Sequence, residues 1–234
     1  MKLLMVLLAS LVALSNAALA DDSNIEKMSL QDVYGLSESD IEAIVLSNDK
    51  EVCDELISSV TQGENDPAQL SPAQFCAIQN YSNGRFSINK QLWQTDSTGS
   101  ALNGNDWAYV RVLDSALAKI KSTPLTTVYR GASSKDIKFT KPGQIVRLKG
   151  YTSTTPSRDV AEGFVQDRLM VLKITSGKNI KPYSNAGSED ELLLPRSTYV
   201  RFDRSEIKTL DLFTEDGPEK RKVEIVYLTE VQNK

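Results

Sequence analysis

The chain has 234 residues, with 27 Lys and Arg against 31 Asp and Glu, a formal net charge of -4, and no histidine. An acidic balance with both signs mixed along the chain disfavours a generic nucleic-acid binder, which would be basic. Without histidine there is no Ser-His-Asp or Cys-His arrangement and almost no zinc-enzyme ligand set, so acid-base work falls to carboxylates, Lys or Tyr.

Residues 1–20 carry one Lys near the start, an apolar stretch from Leu3 to Leu14, and Ala18-Leu19-Ala20 before Asp21-Asp22. This pattern predicts a secretory signal peptide cleaved after Ala20, and hence a secreted protein. Its apolar stretch is too short for a membrane span, and no other long apolar run follows, so the remainder is expected to be soluble. Residues 21–234 are predicted to form one domain with a sizeable core. Cys53 and Cys76 lie 23 positions apart. In an exported chain they are expected to form a disulfide tying two N-terminal helices, the competing reading being two buried thiols. Two cysteines are too few for a zinc or iron-sulfur centre, and no metal is expected.

The N-terminal half reads as helices. Asp40 to Ser47 and Lys50 to Val60 place Ile41, Ile44, Val45, Val52, Leu56 and Ile57 at helical spacing, with Gly63 as a stop. Ser71-Pro72-Ala73-Gln74 combines an N-cap, a Pro at the first helical position and a Gln that reaches back, starting a third helix. Ser87 caps a short helix through Trp93, and a polar loop from Thr95 to Asn105 leads to the longest helix, Asp106 to Ile120. Trp93 and Trp107 are read as core packing.

After Pro124 the pattern changes to strands: Leu125 to Tyr129, Ile145 to Tyr151, Leu169 to Thr175, Glu191 to Phe202, Ile207 to Phe213 and Val223 to Val231. A helix from Arg158 to Asp167 interrupts them, capped by Thr155 or Ser157. Helices first and strands after predict an α+β fold.

Three short motifs stand near strand ends. Arg130 precedes Gly131, where a guanidinium can grip phosphate oxygens through two hydrogen bonds and the missing Cβ lets a ligand approach the backbone. Ser153-Thr154-Thr155 supplies hydroxyls able to orient a neighbouring carboxylate, although the same residues also suit a turn or helix cap. Glu189-Asp190-Glu191 runs into Leu192-Leu193-Leu194-Pro195. Alternation along a strand points Glu189 and Glu191 the same way and Asp190 opposite, so two carboxylates aim at one site where a buried strand begins.

The order Arg, Ser-Thr-Thr, Glu-x-Glu resembles the mono-ADP-ribosyltransferase toxins, whose middle motif is Ser-Thr-Ser. Thr155 departs from that pattern but keeps a hydroxyl. Tyr81, Ile88-Asn89, Leu113-Asp114-Ser115-Ala116-Leu117 and Val128-Tyr129-Arg130-Gly131 extend the resemblance across roughly residues 75 to 200. It implies an ADP-ribosyltransferase fold, with a helical region followed by a mixed or antiparallel β-sandwich around an NAD cleft, in a single catalytic domain without a delivery domain. The two-Glu form is similar to arginine-modifying members.

The resemblance assigns roles. Glu191 would bind the ribose 2'-OH and stabilise positive charge, Ser153 would hold Glu191, Arg130 would fix the phosphates, and the Gly131 backbone would bind the nicotinamide amide. Glu189 would meet the arginine of a target protein. Tyr81 and Asn89 match positions lining the NAD cleft, though helix packing and capping also explain them. Phe164 would stack on nicotinamide, unless it is a core residue of its helix, and Arg168 would reach a phosphate. Pro182 to Ser188, with Tyr183, Asn185 and Gly187, resembles the mobile loop that recognises the target. NAD is then a substrate whose cationic leaving group departs without a metal or a histidine. Rival readings are an NAD glycohydrolase, with water as acceptor, and an exported module binding calcium or a basic partner. A glycoside hydrolase is disfavoured, because carboxylates two apart on one strand seldom flank a sugar bond.

Overall fold

A computed structural model describes residues 33, 35–48, 50, 53, 54, 68–84, 88–94, 102–183, 190–214 and 217–232. The expected leader and most of the expected helix from Lys50 to Val60 lie outside the described residues, as does the proposed cap Ser87.

The helical half contains α1 (Glu38–Asn48), α2 (Pro72–Ser82), α3 (Ile88–Gln94) and α4 (Gly104–Lys119). The start of α2 is fixed as its sequence predicts. The Ser71 hydroxyl accepts from Gln74 N, and the Gln74 side chain accepts from Ser71 N. Each satisfies a donor that would otherwise lack a partner at the helix end. α4 begins two residues earlier than the apolar pattern indicates, because Asn103 caps it by accepting from Asp106 N at 2.8 Å. A disulfide joins Cys53 to Cys76 of α2, with Cα atoms 5.4 Å apart, as expected. Closing a loop of this length stabilises the fold by about 3 kcal/mol.

The strand half folds into two sheets. The larger contains β1 (Thr126–Ala132), β2 (Ile145–Leu148), β4 (Arg168–Ile174), β7 (Thr198–Thr214) and β8 (Gly217–Val231), in the order β1-β4-β8-β7-β2. Only β4 and β8 run parallel in it. The smaller, antiparallel sheet has β3 (Thr152–Thr154), β6 (Leu192–Leu194) and β5 (Lys178–Asn179), in the order β3-β6-β5.

The small sheet is the middle layer. On one side Leu193 and Tyr151 pack with Ile78, Leu113 and Leu117 of the helices. On the other, Leu192 and Leu194 pack with Val128, Leu172 and Val226 of the large sheet. This is why three leucines occur in succession: β6 is apolar on both faces, and burying each stabilises the fold by about 1.5–3 kcal/mol. The far face of the large sheet carries Leu169, Leu212 and Ile225, covered by Ala161 of α5 (Arg158–Glu162) and by Val165.

Several predicted segments divide differently. The span Glu191 to Phe202 is two strands in two sheets, because Pro195 interrupts pairing and Ser197 takes a φ of +66°. Residues 198–214 form one strand, since β8 pairs along its length across an irregularity at Phe202/Arg204. The span Ile145 to Tyr151 covers β2 alone, and β3 starts just beyond it in the other sheet. α5 stops at Glu162, shorter than predicted, and its cap is Ser157.

Candidate active site

β1 and β3 are the edge strands of their sheets, and one bridge joins them. Tyr129 N donates to Thr155 O at 2.8 Å, and Thr155 N returns a bond to Tyr129 O at 3.0 Å. This single crossing sets two sequence-distant motifs side by side. Arg130 follows Tyr129, Ser153 precedes Thr155 by two, and Arg130 Nη1 donates to Ser153 O at 2.9 Å.

β6 pairs with β3 in the register Ser153↔Leu193 and Thr154↔Leu192, so the chain enters β6 beside the same corner. Alternation carries Glu191 to the side of Leu193, facing the helices. From that layer α2 brings Tyr81, whose hydroxyl lies 3.3 Å from Ser153 Oγ and accepts from Asn89 Nδ2 of α3 at 3.0 Å. Gly150 permits this approach of α3, since a Cβ there would stand 2.6 Å from Asn89 Oδ1.

The result is a cleft of about 500 Å³ lined by Arg130, Ser153, Glu191, Tyr81, Asn89 and Phe164, among others. Burial pushes the Tyr81 phenol above its ordinary range; hydrogen bonds from Ser153 and Asn89 and the Arg130 charge oppose this, and the Glu191 charge adds to it. One phenol therefore feels both the cation and the anion. Arg130 lines the cleft with Glu191 while its Nη1 is held by the Ser153 carbonyl. Asn89 Oδ1 is buried without a hydrogen-bond partner among the described residues. An acid, two hydroxyls and a guanidinium lining one cleft suit a substrate with anionic oxygens at one end and developing positive charge at the other.

Not every expected residue has the expected surroundings. Arg168 is 5 % exposed and directed away from the cleft. The register Arg168↔Glu224 sets a carboxylate opposite it, and its Nε and Nη2 donate to Glu224 Oε2 at 2.9 and 2.6 Å. Nη1 donates to Ile137 O, and the guanidinium lies 5.5 Å from the Phe139 ring centre. It is an internal anchor that cannot also serve a phosphate. Phe164 is no core residue: it is 61 % exposed at the cleft wall.

Gly131 lines the cleft, and its lack of a side chain also serves packing. A Cβ there would stand 2.5 Å from Ala161 O and 2.6 Å from Val165 N, so the glycine admits the backbone of α5 and its following turn. Tyr183, expected in a target-recognition loop, sits in a 3-10 turn (Lys181–Tyr183), 3 % exposed and edge-on to Phe75 at 6.2 Å. Glu189, Asn185 and Gly187 lie outside the described residues. Asp190 is described, and accepts from Lys181 Nζ at 2.6 Å.

Sequence reasoning missed Asp136 and Gln166, which also line the cleft. Both come from irregular segments, where alternation predicts no direction; only the Tyr129-Arg130 neighbourhood could have marked Tyr129 as a third.

Residues 25–210 match the family model described as NAD:arginine ADP-ribosyltransferase. Among curated proteins, NAD(P)(+)--arginine ADP-ribosyltransferase 2 from Gallus gallus is 45% identical over 69 residues, which are 29% of this chain. The chain spans only 22% of that relative's length. Of solved structures, Pseudomonas aeruginosa exoenzyme S, crystallised with human 14-3-3 protein beta and carba-NAD, is similar with a TM-score of 0.64 at 18% identity, covering 83% of this chain and 88% of that one. The Clostridium limosum C3 exoenzyme gives a TM-score of 0.58 at 17% identity, covering 77% and 95%. These two likenesses show the fold.

Proposed function

Since the chain belongs to the NAD:arginine ADP-ribosyltransferase family, we propose that it transfers ADP-ribose from NAD to an arginine side chain of a target protein and releases nicotinamide. The observation that carries this reading is the meeting of Arg130, Ser153, Tyr81 and Glu191 in one cleft.

The bond that breaks joins ribose C1' to the nicotinamide nitrogen. Its electron pair leaves with nicotinamide, which becomes neutral, and positive charge develops on the ribose. Glu191 accepts a hydrogen bond from the ribose 2'-OH and offsets that charge in a partly dehydrated site, where such stabilisation is strongest. Ser153 and Tyr81 supply hydroxyls that orient the carboxylate. Arg130 holds the diphosphate, and Phe164 offers an exposed ring to the nicotinamide face. A guanidinium nitrogen of the target then attacks C1' and gives up a proton. Its pKa above about 12 makes it a poor nucleophile without a carboxylate to orient it and receive that proton, the role we assign to Glu189.

If water attacks instead, the product is free ADP-ribose, so the same cleft supports an accompanying NAD glycohydrolase activity. We further propose that the protein acts as a secreted toxin, the leader-like residues 1–20 being the feature that supports export.

Nicotinamide release is measured with and without agmatine, together with transfer of labelled ADP-ribose. Glu191→Gln is expected to lose both cleavage and transfer by at least about a hundredfold, the scale of one transition-state electrostatic contact. Glu189→Gln is expected to lose transfer while retaining cleavage. Equal cleavage by wild type and Glu191→Gln would overturn the assignment.

A further inference from the structure

We propose that Asp114 is a positioning residue for this reaction, clamping the two strands that present Ser153 and Glu191 onto the helix layer. The inference rests on the reading of the cleft given above.

Asp114 lies on α4, away from the cleft, and its carboxylate grips two residues from the same end of the small sheet. Oδ1 accepts from the Tyr151 hydroxyl at 2.7 Å. Oδ2 accepts from Arg196 Nε at 2.7 Å, with Arg196 Nη2 at 2.6 Å. Tyr151 immediately precedes β3, and Arg196 follows β6 by two residues. The pairing Thr152↔Leu194 places both at the mouth of the β3–β6 ladder. The site is at the other end: Thr154 pairs with Leu192, and Glu191 is the next residue.

Each of these strands has three residues, so their own ladder offers few hydrogen bonds to define position. Arg196 is further held 5.3 Å from the Trp107 ring centre on α4. Burial, and then the charge of Asp114, push the Tyr151 phenol well above its usual range, so it remains a donor at neutral pH. Its ring stands edge-on to Tyr81 at 5.7 Å. Movement of Tyr151 therefore reaches Tyr81, whose hydroxyl meets Ser153. Two routes lead from one carboxylate to the cleft, one through aromatic packing and one along β6 to Glu191.

The test compares wild type, Asp114→Asn and a control, Asp203→Ala. The control removes the partner of Arg201 and Thr229 on the large hairpin without touching the helix layer. NAD cleavage kinetics and melting are measured on each, with hydrogen exchange of the amides of residues 152–154 and 192–194. Asp114→Asn is expected to lower kcat at least tenfold with KM for NAD within twofold of wild type, and to speed exchange in β3 and β6 at least tenfold while β7 and β8 stay protected. The control is expected to keep kcat within twofold at whatever melting temperature it shows. An unchanged kcat, a loss confined to KM, or unchanged exchange in β3 and β6 overturns the clamp. If wild type itself cleaves no NAD, the functional reading fails, and the exchange result alone then decides whether Asp114 holds these strands.

Discussion

Replacing Gly131 with Ala separates two explanations of that glycine. If its missing Cβ serves only to let a ligand near, the free protein should tolerate a methyl group and NAD binding alone should suffer. The structure predicts otherwise. The added carbon would stand 2.5 Å from Ala161 O and 2.6 Å from Val165 N, where ordinary contact begins at 3.4 Å. Both neighbours are backbone, so no side-chain rotation relieves the overlap, and α5 must move outward by about 1 Å. Overpacking of this kind costs about 1–3 kcal/mol, and rigid neighbours place this case near 3. In a chain of this size that lowers the melting temperature by roughly 6–12 °C. Calorimetry on the NAD-free variant measures it. Because Phe164 travels with α5, KM for NAD should rise as well. A melting temperature within about 2 °C of wild type would show that the methyl group is accommodated without displacing α5, whatever happened to KM.

Arg168→Ala should destabilise the fold by about 3 kcal/mol, since it leaves the largely covered Glu224 carboxylate without its partner. The KM for NAD of the remaining folded protein should stay within twofold of wild type; a tenfold rise would restore Arg168 to the phosphates. The hydrogen bond from Tyr227, and then that from Lys208, lower the Glu206 carboxyl from 4.5 to about 2. A depressed carboxyl stabilises the fold above its unfolded value and loses that contribution as pH falls through its folded value. Melting curves should show wild type losing stability relative to Glu206→Gln between pH 4.5 and about 2, and a constant difference across that window would count against the contact.

What the sequence made legible was local. The Ser71-Gln74 capping box, the Leu192-Leu193-Leu194 run and the order of helices before strands depend on neighbours in the chain, and each leaves a pattern there. Arg130, Ser153 and Glu191 were legible as motifs, but the Tyr129–Thr155 bridge that unites the first two has no signature at either residue. Arg168 was misread because its partner lies 56 positions away, on a strand whose register only the folded sheet defines. The unbroken length of β7 depends equally on β8. Asp114 resembled part of a helical motif, and its two partners could not be read from spacing.

The strand order β1-β4-β8-β7-β2 puts the last described strand in the middle of the large sheet. Until residue 231 has emerged, β4 and β7 each present an open edge, and β1 with its arginine hangs on an incomplete scaffold. Such edges favour delayed closure and pairing with other chains. A growing polypeptide thus carries every residue of the cleft before it can assemble one, so synthesis and any threading through a pore precede the formation of the cleft itself.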